Sequence, residues 1–530
     1  MLVIKKSILY ISLLAIFTVF INLFSGYRGV FPLDTFAFFD TGFRVLNGEH
    51  PFKDYWAVSG PFIDYSQAFL FYVFGVNWLV YLVNPSILNV VLVLSTFHLF
   101  KKLNIGNNTN LFFCFCLAIL AYPNSGTPFV DHHSAFLSII GIYIFYFAIL
   151  NNILFIWFTI PPIFSFAFLS KQIPSSFILL TFILSLFYHL ILNKRDYNLK
   201  VLATLICSTI ITILFYLFFF KIIELDLNMF LKQYIFYPLT IGEGRFEIFK
   251  IDVNKIIFEF KFIHLSFLPY FCLNIVNFIK KKKYSKSLNF KVFLTFLQVY
   301  VFLLISQIIT KNQIYIFFLI PIFSLLSFSV LKNYDLKYKK YIQIFIISIC
   351  LFSTIKYFDR FIIHKKFHEL QDVNFDNYAD GRILDEKFYG LKWITPENLK
   401  KEKNVEKIEQ IKQNKEFIRA DNRKKMVLSK YSIYSTLTSE STLAPSRWYP
   451  EDGTGFPIEG SKYFFEYKNF LINLIISKQI EVIYLLDQFN DKMLLNYVDK
   501  DCFKISKKNN FTIYKVLNSC EDFNSKNSGN

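Results

Sequence analysis

The sequence predicts a polytopic α-helical membrane protein of about eleven spans that carries a C-terminal extracytoplasmic α/β domain. Three observations predict it. Apolar runs long enough to cross ~30 Å of hydrocarbon recur along the first two thirds of the chain. Hydrophobic residues make up 54% of the 530 residues, more than the roughly 45–50% of a soluble domain. The lysines of this part gather in short loops between apolar runs, as an orientation signal does. In a soluble protein the formal charge of +18 would point to nucleic acid. Here membrane orientation accounts for it, and no nucleic-acid partner is expected.

The spans fall at approximately 7–25, 78–100, 110–124, 134–150, 153–169, 173–192, 200–220, 262–279, 290–309, 314–331 and 340–357. Met1-Leu2-Val3-Ile4-Lys5-Lys6 and the apolar stretch to Phe24 have the shape of a signal peptide. No small-residue cleavage site follows, so the stretch reads as a retained first span. Pro61 to Asn77 is apolar but broken by Asp64, Gln67 and Gly75, which fits a helix lying in the interface. With Lys5-Lys6 in the cytoplasm, Lys101-Lys102, Lys194-Arg195, Lys280 to Lys283 and Lys332 to Lys340 share that side. An odd number of spans then exports the tail. The domains are therefore 1–358, within the inner (plasma) membrane, and 359–530 outside it.

The tail is charged. Helix-like segments (Pro396 to Lys415, Tyr463 to Lys478) alternate with strand candidates (Lys425 to Ser429, Ile480 to Leu486, Phe511 to Val516). It holds no glycine-rich phosphate loop, no GxSxG elbow and no HExxH. Gly453-Thr454-Gly455 reads as a turn. Five of the seven cysteines lie in or near apolar spans, where a thiol behaves as a small hydrophobe; Cys502 and Cys520 can pair if the tail is extracytoplasmic.

Candidate site residues share the outer face in this orientation. Asp34 and Asp40 follow the first span, with Asp54 further along the same loop. Asp131-His132-His133 lie between spans three and four, and Lys171 between five and six. Arg245 lies between seven and eight, and Lys311 between nine and ten. Ionisable groups at a bilayer edge are costly to keep, which makes them markers of function. Each also has a plainer use: Asp34, Asp40 or Asp131 as a helix cap, Lys171 as a snorkelling side chain. The adjacent histidines point apart, which argues against one shared ion. Together, the carboxylates can deprotonate an acceptor hydroxyl or hold a cation. The lysines can bind the phosphate of a lipid-borne donor and stabilise its charge as it leaves. No nucleophile–base pair for ester hydrolysis is visible.

At these residues the chain resembles the GT-C superfamily of integral-membrane glycosyltransferases, which includes the protein mannosyltransferase and aminoarabinose transferase groups. The resemblance rests on Asp34 in the first outer loop and on Gly48-Glu49-His50-Pro51-Phe52-Lys53-Asp54-Tyr55-Trp56 with Gly60-Pro61 and Phe74-Gly75. Asp131 in the second outer loop and Phe168-Leu169-Ser170-Lys171-Gln172 complete it. Recognisable pattern covers roughly residues 1–190, and hydropathy alone the region 190–357. The resemblance implies inverting transfer of a sugar from a polyprenyl-phosphate donor to a glycan, lipid or protein acceptor of the cell envelope. Asp34 would be the base or acceptor-binding carboxylate, Asp131 a second acidic partner and Lys171 a phosphate contact. Asp40, Asp54, His132, Arg245 and Lys311 would be substrate-binding. The family's Asp-Glu pair is Asp34-Thr35 here, so a divalent metal at that spot is left open. Competing functions are a lipid-linked glycan polymerase or ligase, a transporter or flippase, and an envelope scaffold. The modest loop 221–261, the few charges inside spans and the lack of a repeat favour the transferase.

Overall fold

The computed structural model describes residues 2–247, 252–280, 284–310, 316–332, 334, 337–366, 370, 373–397, 399–487, 490–508 and 511–517. The chain forms two compact units. The first comprises Met1–Arg28, Leu82–Phe218 and Arg245–Val373; the second comprises Gly29–Tyr81, Phe219–Gly244 and Asn374–Asn530.

Among the described residues, eight helices are long and apolar enough to cross a membrane. They are Ser7–Gly26, Trp78–Lys102, Val130–Asn151, Gln172–Ile191, Arg195–Ile222, Lys261–Lys280, Leu288–Thr310 and Lys339–Ile363. The other three expected spans are shorter. The segment expected at 110–124 is the 14-residue helix Asn107–Leu120, about 21 Å long, which stops before Tyr122-Pro123. The segment at 153–169 is split into Leu154–Phe158 and Ile160–Ser170 by Pro161-Pro162, whose rings cannot continue a hydrogen-bonded helix. The segment at 314–331 is helical over the 13 residues Leu319–Leu331. The helices carry large exposed apolar side chains: on Arg195–Ile222, Ile206, Ile210, Phe215 and Phe218 are all more than half exposed. Such a surface is stable only against hydrocarbon.

Within the first unit, Val130–Asn151 packs on Ile160–Ser170 and Gln172–Ile191, and the last of these packs on Leu288–Thr310. Hydroxyls join three of them: Tyr146 donates to Thr295 Oγ1 at 2.7 Å, and Ser185 Oγ lies 2.6 Å from the same oxygen. Apolar packing alone gives little preference between helix and lipid, so hydrogen bonds worth roughly 0.6 kcal/mol each help to fix the register.

In the second unit, helices Pro32–Leu46 and Pro61–Phe74 pack on each other. The latter covers the segment expected to lie in the interface, and it leaves Phe69, Tyr72, Val73 and Phe74 exposed at its end. Gly60 precedes it at φ +75°, and a Cβ there would fall 2.6 Å from the Phe38 ring. Strands β1 (Ala379–Asp380) and β2 (Lys392–Trp393) form an antiparallel pair. Strands β3 (Lys425–Leu428), β4 (Val482–Leu485), β5 (Phe503–Lys508) and β6 (Phe511–Val516) form one sheet in the order β3-β4-β6-β5. β3 and β4 are parallel and the other pairings antiparallel. A parallel pair needs a crossover, and helix Phe464–Ser477 lies within it. Every residue of β3 and β4 is buried, so both faces are covered. The core around them gathers Trp56, Phe456, Tyr467 and Tyr497. The helices expected at 396–415 and 463–478 are Lys401–Arg419 and Phe464–Ser477. Cys502 is disulfide-bonded, and Cys520 lies outside the described residues.

Candidate functional site

The expected loop after the first span is largely helical. Pro32 opens helix Pro32–Leu46, where its missing N–H costs nothing, and Thr35 Oγ1 accepts the Phe31 N–H at 3.0 Å. Asp34 stands in the first turn, where the helix N-terminus favours a negative charge, and it is only half-buried.

The neighbouring carboxylates are held differently. Asp40 is buried, and its Oδ1 accepts from the Thr436 backbone N–H at 3.0 Å and the Thr436 hydroxyl at 3.1 Å. Burial pushes its pKa up to about 6, although Arg44 and the Thr436 hydrogen bonds pull the other way. Arg44 forms a forked contact to Glu49 Oε2 at 2.9 and 2.6 Å, and Ser441 donates to the other Glu49 oxygen. The Arg44 guanidinium also lies 4.4 Å from the centre of the Tyr55 ring. Asp54 accepts from the His50 N–H at 2.8 Å and pairs with Lys478 at 2.7 Å. Asp64 is fully buried and accepts from Thr41 Oγ1 at 2.5 Å, from the Tyr55 hydroxyl at 3.0 Å and from Arg447. Burial raises its pKa; Arg447 and the hydroxyls oppose the rise. Gln233 clamps the loop between helices, accepting from the Ala57 N–H at 3.0 Å and donating to Phe52 O at 2.9 Å. Four carboxylates of this unit thus serve to hold it together, and Asp34 keeps contact with solvent.

The first unit places Asp131 in the first turn of Val130–Asn151, 2% exposed. Lys171 interrupts two helices in extended conformation (φ −162°, ψ 140°), and its ammonium meets both Asp131 oxygens at 2.9 and 2.8 Å. The two histidines do diverge. His132 Nδ1 lies 3.0 Å from Ser125 Oγ, while His133 contacts Tyr122 OH at 2.5 Å and Asn84 at 3.0 Å. Both rings are buried.

Asp34, Asp40 and Asp54 therefore belong to the second unit, and Asp131, His132, Lys171 and Arg245 to the first. Arg245 sits in the last turn of Tyr237–Glu247, a segment expected as a loop. Lys311 lies outside the described residues. Among the described residues, no three His, Cys, Asp or Glu side chains gather as a metal ion would need. Sequence reasoning missed Arg44–Glu49 and Arg447–Asp64. The signal available was Asp64 itself, a carboxylate in an apolar helix that demands a buried cation. No family model matches the chain, and no curated protein sequence is significantly similar to it.

Proposed function

We propose that the protein is a membrane glycosyltransferase of GT-C type, located in the plasma membrane with its tail on the extracytoplasmic side. It would move a sugar from a polyprenyl-phosphate donor to an envelope acceptor with inversion. The observation that carries the reading is Asp34: half-buried at a helix N-terminus just past the first apolar span, beside carboxylates already engaged in the fold. A base must reach its substrate, and the partial exposure of Asp34 supports that role. The helix Pro61–Phe74, read from its pattern as interfacial, and the break at Lys171, read as the connection between spans five and six, add support.

In the reaction, the acceptor oxygen attacks the anomeric carbon as the bond from that carbon to the phosphate oxygen breaks. The electron pair leaves with the phosphate, and Asp34 takes the acceptor's proton. The test is sugar transfer in vitro by purified wild type and Asp34→Asn, with a panel of polyprenyl-phosphate sugars, a membrane extract as acceptor, and a chelator arm. Transfer that falls at least 100-fold in a well-folded Asp34→Asn protein supports the reading. Equal transfer by both proteins removes Asp34 from the mechanism.

A further inference from the structure

The first span, Ser7–Gly26, packs along Asn107–Leu120. Hydrogen bonds tie it to Trp78–Lys102 near both ends: Asn22 Nδ2 donates to Ser86 Oγ at 3.0 Å, and Lys101 Nζ donates to Ser7 Oγ at 3.1 Å. Towards the Lys101 end, within the first unit, the two helices leave a groove of about 450 Å³. Ile11, Val91 and Leu94 form its walls. Phe147 of Val130–Asn151 also lines it, with its ring centre 5.3 Å from that of His98. Ile11 and Val91 are 41% and 44% exposed, so the groove opens sideways. In a bilayer it opens onto hydrocarbon, and its lining forfeits dispersion contacts unless a chain fills it. A cleft of this size, mostly apolar with a few polar groups at one place, has the make-up of a small-molecule site.

One end of the groove is basic. Ser7, His98 and Lys101 line it there, and Lys101 and Lys102 occupy the last turn of their helix. Lys332 donates to Asn104 O at 3.1 Å, which brings a third cation to the same end of the first unit. Lys339 in turn donates to Lys332 O at 3.2 Å. Each of these described hydrogen bonds goes to a neutral oxygen, so none of them supplies counter-charge. Membrane orientation accounts for lysines in a short loop, but it does not require an apolar groove that leads to them. An apolar channel ending on exposed ammonium groups matches an amphiphile with an anionic head.

We propose that this groove binds one anionic phospholipid of the bilayer, with an acyl chain between the two helices and the headgroup phosphate on Lys101. Lys102 and Lys332 add to the positive field around that phosphate. The site does not depend on the transferase reading. It lies at the Ser7 end of the first span, whereas Asp34 follows the other end. In the orientation proposed above it faces the cytoplasmic leaflet. A lipid held there touches both helices, and by binding the folded state it stabilises their pairing.

The test measures binding to the full-length protein in detergent by native mass spectrometry. The probes are dioleoyl phosphatidylglycerol, dioleoyl phosphatidylcholine and inorganic phosphate. Phosphatidylglycerol is expected to bind wild type about tenfold more tightly than phosphatidylcholine, since each lysine near an anionic headgroup contributes roughly a factor of five. Lys101→Gln keeps a donor for Ser7 without the charge and should weaken phosphatidylglycerol binding about fivefold. Val91→Trp fills the groove and should weaken it at least as much. Ile206→Trp, on the exposed face of Arg195–Ile222 away from the groove, should bind as wild type does. If Val91→Trp does not fold, Ser95→Phe blocks the same groove and takes its place. Equal binding of phosphatidylglycerol by wild type, Lys101→Gln and the groove-filling variant overturns the proposal, as does equal affinity of wild type for the two lipids. Binding that depends on Lys101 but not on the groove, or that inorganic phosphate displaces, marks a headgroup contact alone and also overturns it.

Discussion

Arg447 in the second unit and Lys365 in the first are cations of similar burial in opposite electrostatic settings. Arg447 donates to Asp64, and that carboxylate also receives the hydroxyls of Thr41 and Tyr55. Lys365 has a neutral hydroxyl on one side and a guanidinium nearby. Arg447 is neutralised from within the fold, so its work is to join chain segments. Lys365 meets a hydroxyl and no carboxylate among the described residues, and burial pushes its pKa down to about 7. Exposure separates Asp34, half-buried, from Asp40, Glu49, Asp54 and Asp64, which are buried. Burial of a charge is thus a poor guide to function until its counter-charge has been found.

The largest expected effect breaks the internal pair. Arg447→Met strands the Asp64 carboxylate and should cost about 3–5 kcal/mol, while Arg447→Met with Asp64→Leu should recover much of that. Lys365→Met, measured by thermal unfolding in the same detergent without added lipid, should be neutral or stabilising. A Lys365→Met protein as damaged as Arg447→Met would erase the contrast. Next comes Asp34→Asn, for which transfer should fall by roughly 10²–10⁴-fold with the melting temperature unchanged.

A smaller effect concerns Asp40. Its folded pKa, raised to about 6 against an ordinary 3.8, means that the folded state binds the proton more tightly. That contribution is complete below pH 3.8 and is lost as pH rises through about 6, on the order of 1–3 kcal/mol. Asp40→Asn keeps an acceptor for Thr436 and cannot ionise. Its unfolding free energy should exceed that of wild type at pH 8, match it near pH 4, and vary less between. The smallest effect is expected at Lys53, which pairs with Glu224 at 3.1 Å with side-chain exposures of 34% and 83%. Lys53→Met should change stability by roughly 0.5 kcal/mol or less, because water screens an exposed pair.

The membrane helices were legible because hydrocarbon thickness imposes a length and a composition that the chain displays residue by residue. Two of the three shortened segments sit beside a feature that hydropathy averages away, Pro123 and Pro161-Pro162. In the tail, β3, β4 and β6 could be read from their apolar runs. β5 could not, because Lys504, Lys507 and Lys508 give it the charged face of an edge strand. Asp34 could be picked out as a candidate from its place after the first span. The roles of Asp40 and Asp54 could not, because Thr436 and Lys478 are hundreds of residues away and no local pattern announces them.

The second unit joins three stretches of the chain, Gly29–Tyr81, Phe219–Gly244 and Asn374–Asn530. Asp40 meets Thr436 across 396 residues, and Asp64 meets Arg447 across 383. At about 5–20 residues per second of synthesis, the earlier member of each pair waits roughly 20–80 seconds for the later one. During that interval Asp40 lacks its Thr436 donors and Asp64 lacks Arg447. A chain that stops short of residue 447 leaves the unit unfinished. Completion of this unit therefore acts as a length check, in which the last-made residues certify the first.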